Sequence, residues 1–374
     1  MCLTKLKIIF IFVALSNSNV RAQQPQNWKT FWQAAGADTS ICSLDSASLS
    51  LQAYLIAYGR RDDRIPWSIG EHIDSAKITQ IVQNVLSGKA DGIAAMKSLE
   101  PAFQPYQQLR QLVDRILETK ADSLLDWPLL RHSLNEYRLL NRAASQMIIQ
   151  VNVPSATLRV LDRSGDLLLE CPVIVGSPSR PTPIFGAYLT GIITYPYWNV
   201  PRSIATKEFL PKIRRNPSGF LSAMKLQVLN SQGIVMDAEN IDWKNLSAKN
   251  FPYRLRQSTG CDNALGLIKF DIDSPYNVYL HDTNHRELFD EEYRFLSHGC
   301  IRVAEPVKLA NLLMHRDLLP ETFTEDRFHN IRSSMFALPS PVPVLITYAL
   351  LEAAPDGALY HHKDIYRRIK AIHP

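Results

Sequence analysis

Apolar residues recur at helical spacing through the first third of the chain. Ser46 to Tyr58 carries Leu49, Leu51, Leu55 and Ile56 on a helix that Gly59 closes. Asp74 to Leu86 sets Ile78, Ile81, Val82, Val85 and Leu86 on one face, with Gly88 just beyond. Pro105 opens another helix, whose buried side holds Tyr106, Leu109, Leu112, Val113 and Ile116. Leu129 to Leu140 predicts a last one. None of these stretches gathers the residue types of catalysis, so 23–146 reads as an all-helical scaffold domain.

At Met147 the period changes. Ile149, Val151 and Val153 alternate with polar neighbours, Leu158 to Leu161 follows, and Ser164-Gly165 turns the chain into Leu167 to Val175, which predicts a β-hairpin. Further strand signals lie at Leu189–Tyr197, Gly266–Phe270, Val278–His281, Val342–Tyr348 and Leu359–His361. The Pro- and Asn-dotted stretch from Pro201 to Pro252 falls between strands with helical pieces of its own, and reads as an insertion. The architecture predicted is α+β: the helical domain, then a mixed β domain over 147–374 with a long insertion at about 201–252.

Composition narrows the class. The chain has 374 residues, 46% hydrophobic and 21% charged, which excludes a collagen-like, low-complexity or wholly disordered protein. Residues 1–22 have the form of a secretory signal peptide: Lys5 and Lys7, an apolar run from Ile8 to Leu15, then Val20-Arg21-Ala22 as the cleavage site. Export to the periplasm is the expectation, with no transmembrane segment after cleavage. The formal charge of +5 drops when Lys5, Lys7 and Arg21 are removed, leaving 38 basic against 36 acidic residues. That balance gives no reason to expect nucleic acid as a partner. Cysteines stand at 2, 42, 171, 261 and 300. In an oxidising compartment pairing is the default, and which of Cys42, Cys171 and Cys261 pair stays open.

The chemistry concentrates between Tyr279 and Val303. His281-Asp282-Thr283 ends an apolar strand, and fifteen residues separate His281 from Ser297-His298-Gly299-Cys300-Ile301-Arg302. A thiol attacks as thiolate, and a neighbouring imidazole can take its proton. Gly299 removes a side chain beside the nucleophile, so that backbone N–H groups can face an oxyanion. Arg302 offers a fixed charge able to hold a substrate carboxylate through two hydrogen bonds.

This pattern resembles the L,D-transpeptidases, the YkuD-type catalytic domain: a histidine, some fifteen residues, then Ser/Thr-His-Gly-Cys, an apolar residue, and Arg or Asn. More of the chain resembles the large, lid-bearing bacterial members, at Val151–Pro154, Val175-Gly176 with Arg180–Pro183, Tyr197–Pro201, Tyr253–Gln257 and Asn263–Gly266. The resemblance implies Cys300 as acylated nucleophile and His281 as base, with the carbonyl of Asp282 setting the ring's tautomer. It implies that His298 and Gly299 shape the pocket and oxyanion hole, and that Arg302 binds a carboxylate or braces the loop. Ser297, Asp282, Trp198, Tyr197 and Asn263 complete the expected substrate contacts. The substrates it implies are peptidoglycan tetrapeptide stems, cleaved before the terminal D-alanine and joined in 3→3 cross-links, under a lid formed by the insertion. Carbapenems are the expected inhibitors, other wall-synthesis proteins are candidate partners, and no cofactor is called for. The peptidoglycan-binding module of many large members has no counterpart in the helical half.

Other readings stay open. The same acyl-enzyme could pass to water or to a protein amine, or the protein could be an idle wall-binding scaffold. His281, His285, His298 and Cys300 also have spacings compatible with zinc, but without a second-shell carboxylate pattern, and no metal is expected. Cys42 and Cys171 read as buried or bridged, and Arg214-Arg215 as a solvated face.

Overall fold

The computed structural model describes residues 25–36, 45–120, 123, 125–143, 145–325, 331–353 and 358–368. The expected signal segment and Cys42 lie outside them. Among the described residues the helices that come first are α1 (Pro25–Ala34), α2 (Ser46–Tyr58), α3 (Ser75–Leu86), α4 (Gly92–Lys97), α5 (Gln104–Glu118) and α6 (Trp127–Ala143). Local chemistry sets their ends. Asp45 and Asp74 accept backbone N–H groups at the starts of α2 and α3, and Gly59 closes α2 at a φ of +69°.

Among the described residues the strands that follow are β1 (Met147–Asn152), β2 (Thr157–Asp162), β3 (Leu167–Gly176), β4 (Phe185–Thr194), β5 (Trp198–Asn199), β6 (Leu226–Leu229), β7 (Arg254–Gln257), β8 (Ile268–Ile272), β9 (Leu280–His281), β10 (Phe295–Ser297), β11 (Ile301–Val303), β12 (Ser334–Thr347), β13 (Leu351–Ala353) and β14 (Leu359–His361). The main sheet runs β10-β3-β11-β9-β8-β4-β12-β1-β2, and β2 pairs back onto β3, so the strip closes on itself. Both parallel and antiparallel pairs occur, β1 running parallel to β12 and antiparallel to β2.

The polar positions of β1 do not face water as simple alternation predicts. Gln150 and Asn152 are buried, and bond to Thr347 Oγ1 at 3.2 Å and the Ala349 carbonyl at 3.0 Å. Helix packing explains their burial. Tyr106, Leu109 and Val113 of α5 and Leu130, Leu134 and Leu140 of α6 join Ile149, Val151, Phe185 and Val344 in one apolar cluster. The boundary at 146/147 therefore separates element types but not cores, because α5 and α6 cover the sheet. Helices α1 to α4 gather around Trp28, Trp32, Leu49, Ile56, Val82 and Met96. Arg138 of α6, fully buried, ties the two regions by donating to the Ile56 carbonyl at 2.7 Å and to the Tyr106 hydroxyl at 2.9 Å.

The insertion after Pro201 folds around a core of its own. It comprises α7 (Arg202–Ile204), a π-helical turn (Ala205–Phe209), α8 (Leu210–Arg215), α9 (Pro217–Ala223) and the small sheet β5-β7-β6. Trp198, Phe209, Ile213, Trp243, Phe251 and Leu255 form its apolar centre. Arg214 and Arg215 are exposed, as expected of a solvated face, and Arg214 Nε donates to the Trp243 carbonyl at 3.2 Å and its Nη2 to that of Leu246. A last helix, α10 (Pro306–Met314), packs on the main core. Among the described residues no helix is long and apolar enough to cross a membrane.

Candidate active site

Two adjacent parallel strands bring the motif together. β9 and β11 pair in the register Ile301↔Leu280 and Arg302↔His281, and the Ile301 N–H donates to the Tyr279 carbonyl at 3.1 Å. Side chains two apart on a strand share a face. Tyr279 and His281 therefore stand beside Cys300 and Arg302 in one patch, with the Tyr279 and His281 rings 5.7 Å apart, edge to face. Lys269 of β8 pairs with His281 and holds its ammonium 4.7 Å from the Tyr279 ring centre.

The His281 ring is buried, and its Nδ1 donates to the Asp282 carbonyl oxygen at 2.5 Å. A carbonyl can only accept, so the ring proton sits on Nδ1 and Nε2 keeps its lone pair. Burial, reinforced by the Arg302 charge, pushes His281 down to about 3. Burial pushes the Cys300 thiol up, against the opposing pull of Tyr279 and of the Lys269 and Arg302 charges. Both shifts favour the uncharged forms. The resting pair is then neutral thiol and neutral imidazole rather than thiolate and imidazolium, and no hydrogen bond joins Sγ to the ring.

The turn that carries Cys300 is fixed from inside. Gly299 sits at a φ of +114°, a conformation that favours glycine, and a Cβ there would meet nothing nearer than 3.7 Å. Its N–H donates to Ser297 Oγ at 3.1 Å, and Ser297 Oγ donates to the Cys300 carbonyl at 2.5 Å. The Gly299 carbonyl accepts from Thr182 Oγ1 at 2.9 Å. The Gly299 N–H is thus engaged in the turn. The Cys300 N–H has no partner among the described residues, and it is the backbone donor left for an oxyanion.

Several expected substrate contacts are framework instead. Ser297, Asp282 and Asn263 are 4%, 2% and 2% exposed, with every side-chain polar atom engaged. The Asp282 carboxylate takes Arg286 Nη1 at 2.6 Å and the Leu267 N–H at 3.0 Å. Asn263 Nδ2 donates to the Pro196 and Ser258 carbonyls at 3.0 and 2.8 Å, and its Oδ1 accepts from the Leu265 N–H at 2.8 Å. Tyr197 is exposed and lies under the Arg256 guanidinium, 4.7 Å away. Trp198 is buried against Phe209, and its indole hydrogen-bonds to Tyr279.

His298 is engaged by the insertion, where its Nε2 lies 3.0 and 3.3 Å from the two Glu208 carboxylate oxygens. Arg180 Nη1 meets the same carboxylate at 2.8 Å. Partly exposed pairs of this kind contribute about 0.2–1 kcal/mol each. Arg302 is half-buried and makes no hydrogen bond or ion pair with another described side chain. The zinc spacings dissolve as well. His285 turns to Glu287 at 3.0 Å and His298 to Glu208, and among the described residues no three potential ligands gather. Cys171 and Cys300 are free thiols, and burial pushes Cys171 up to about 11.

Residues 146–325 match the model of the L,D-transpeptidase catalytic domain, the YkuD type. These residues form an L,D-transpeptidase catalytic domain. A candidate L,D-transpeptidase of Haemophilus influenzae (strain ATCC 51907 / DSM 11121 / KW20 / Rd) is 35% identical over 277 residues, covering 72% of this chain and 54% of that protein. The chain thus spans about half the length of that relative. An L,D-transpeptidase from Mycobacterium smegmatis aligns at 12% identity over 54% of this chain and 58% of its own, with a TM-score of 0.24. L,D-transpeptidase 3 from Mycobacterium tuberculosis, in complex with a faropenem-derived adduct, aligns at 10% over 54% and 60%, with a TM-score of 0.25. The L,D-transpeptidases are a cysteine-dependent acyltransferase class, and His281 and Ser297 to Arg302 lie within the matched residues.

Lys269 and Glu208 carry no mark in the sequence, Tyr279 only bounds the segment that holds the chemistry, and Arg180 and Thr182 stand out only within a run that resembles the family. Tyr279 had a signal, since it stands two residues before His281 on one strand. Glu208 had none, lying on the lid far from the motif in sequence.

Proposed function

We propose that this protein is an exported peptidoglycan L,D-transpeptidase that forms 3→3 cross-links through a Cys300 acyl-enzyme. The observation carrying the reading is the cluster on β9 and β11. A neutral imidazole, a thiol and a guanidinium without a side-chain partner among the described residues share one face beside the insertion. His281 takes the thiol proton as Cys300 Sγ attacks the carbonyl between the diamino acid and the terminal D-alanine of a donor stem. The Cys300 N–H and the Tyr279 hydroxyl face the oxyanion, and Arg302 takes the D-alanine carboxylate. As the C–N bond breaks, the departing amine of D-alanine receives the proton from His281 and the acyl group stays on sulfur. An acceptor-stem amine then attacks the thioester and gives a proton to His281, which returns it to the leaving Cys300.

The lid favours an amine over water as acceptor by covering the thioester. The test is incubation with purified tetrapeptide-bearing muropeptides and mass analysis of the products. Cross-linked dimers with released D-alanine are expected. Tripeptides alone would assign the acyl group to water, and no reaction would leave an idle scaffold.

A further inference from the structure

Glu208 stands in the π-helical turn Ala205–Phe209, an irregularity that occurs frequently at functional sites. Its carboxylate meets Arg180 Nη1 at 2.8 Å and His298 Nε2 at 3.0 Å. Among the described residues Glu208 is the only side-chain partner of either. The seat these two donors make abuts the nucleophile's turn. His298 is two residues before Cys300, and the Arg180 carbonyl lies 4.0 Å from where a Cβ on Gly299 would be. Two donors that converge on one carboxylate, beside a thiol meant for a peptide rich in carboxylates, can receive the substrate's group in place of the lid's.

We propose that Arg180 and His298 form an anion seat for a second carboxylate of the donor stem, on the diamino acid's side chain, and that Glu208 fills it until substrate displaces it. The inference rests on the acyl-transfer reading above. The lid carboxylate is a placeholder: it keeps both donors oriented, holds the lid over the groove, and gives way because its contacts are partly exposed (32% for Glu208, 44% for Arg180 and 41% for His298). The apparent affinity for the stem is lowered by the fraction of molecules in which Glu208 holds the seat.

The experiment uses the purified chain and two tetrapeptide stems whose third residue is diaminopimelate, with its side-chain carboxylate free or amidated. D-alanine release gives kcat/KM. The wild type is expected to prefer the free acid by about 5-fold. Glu208→Gln is expected to raise kcat/KM for the acid by about 3- to 10-fold and to widen the preference. Arg180→Gln is expected to abolish it. Glu208→Ala, with thermal melting as the check on folding, should behave as Glu208→Gln does. A fall in kcat/KM for the acid in both Glu208 variants, or a preference that survives Arg180→Gln, overturns the proposal. Absence of D-alanine release from either stem by the wild type is a separate failure, that of the transfer reading itself.

Discussion

Thr182 donates its hydroxyl to the Gly299 carbonyl at 2.9 Å while accepting the Gly176 N–H at 2.8 Å, at a position with no solvent exposure. The Thr182 N–H meets the Tyr366 hydroxyl, which donates to the Gly176 carbonyl at 2.6 Å. One side chain thus ties the nucleophile's turn to β3 and, through Tyr366, to the C-terminal segment. Thr182→Val keeps the shape and leaves two buried backbone groups without partners. Destabilisation of about 1–3 kcal/mol is expected, and a drop in carbapenem acylation rate of about 10-fold or more as the Cys300 N–H loses its aim. Thr182→Ser, which restores the hydroxyl, should recover most of the rate. Thermal melts and intact-mass kinetics on the three proteins decide it.

The neutral resting pair has a pH signature. His281 works as a base only when unprotonated, and burial with the Arg302 charge holds it at about 3 rather than the ordinary 6.5. Acylation should therefore keep its rate on acidification through about pH 6.5 and lose it only near pH 3–4. Stability moves in the same window. The unfolded chain binds a proton at His281 that the folded chain refuses, so stability falls as pH drops from about 6.5 towards 3. His281→Gln should flatten that slope and lower the acylation rate by on the order of 10² or more. A kinetic limb near 6.5 would mean that His281 titrates at its ordinary value and would overturn this reading.

What the sequence made legible followed from period and motif. α2 ends at Gly59, and the β2–β3 hairpin turns at Ser164-Gly165, because single residue types decide such points. β9 was visible as an apolar run ending at His281. β6, β7, β10 and β11 were not, since strands of three or four residues carry too few alternations to register. The family motif located Cys300, His281 and Arg302, but residue type alone could not say which way a side chain faces. Ser297, Asp282 and Asn263 are polar and near the thiol in sequence, and their hydrogen-bonding capacity is used inside the protein. Glu208 reaches the site only through the fold of the lid.

Two thiols, Cys171 and Cys300, should separate by chemistry. Cys171 is buried and pushed up to about 11 by burial, while Cys300 is partly exposed. Alkylation with iodoacetamide at pH 8, mapped by peptide mass, should label Cys300 in the folded protein and Cys171 only after denaturation. Labelling of native Cys171 would show that β3 opens under these conditions.

Arg302 links substrate binding to the base's proton affinity. Its guanidinium is half-buried, lacks a side-chain partner, and contributes to holding His281 low. Arg302→Met keeps bulk and removes the charge, so two effects should appear together. KM for a donor ending in D-alanine should rise by about 10- to 100-fold, the worth of a charge-assisted hydrogen bond of about 1.5–3 kcal/mol. The acid limb of the rate should also move upward from its position near pH 3–4, because one of the charges opposing protonation of His281 is gone. Arg302→Lys restores the charge without the fork, so it should return the limb towards its original pH while leaving KM raised. A KM change with an unmoved limb would assign Arg302 to the substrate alone.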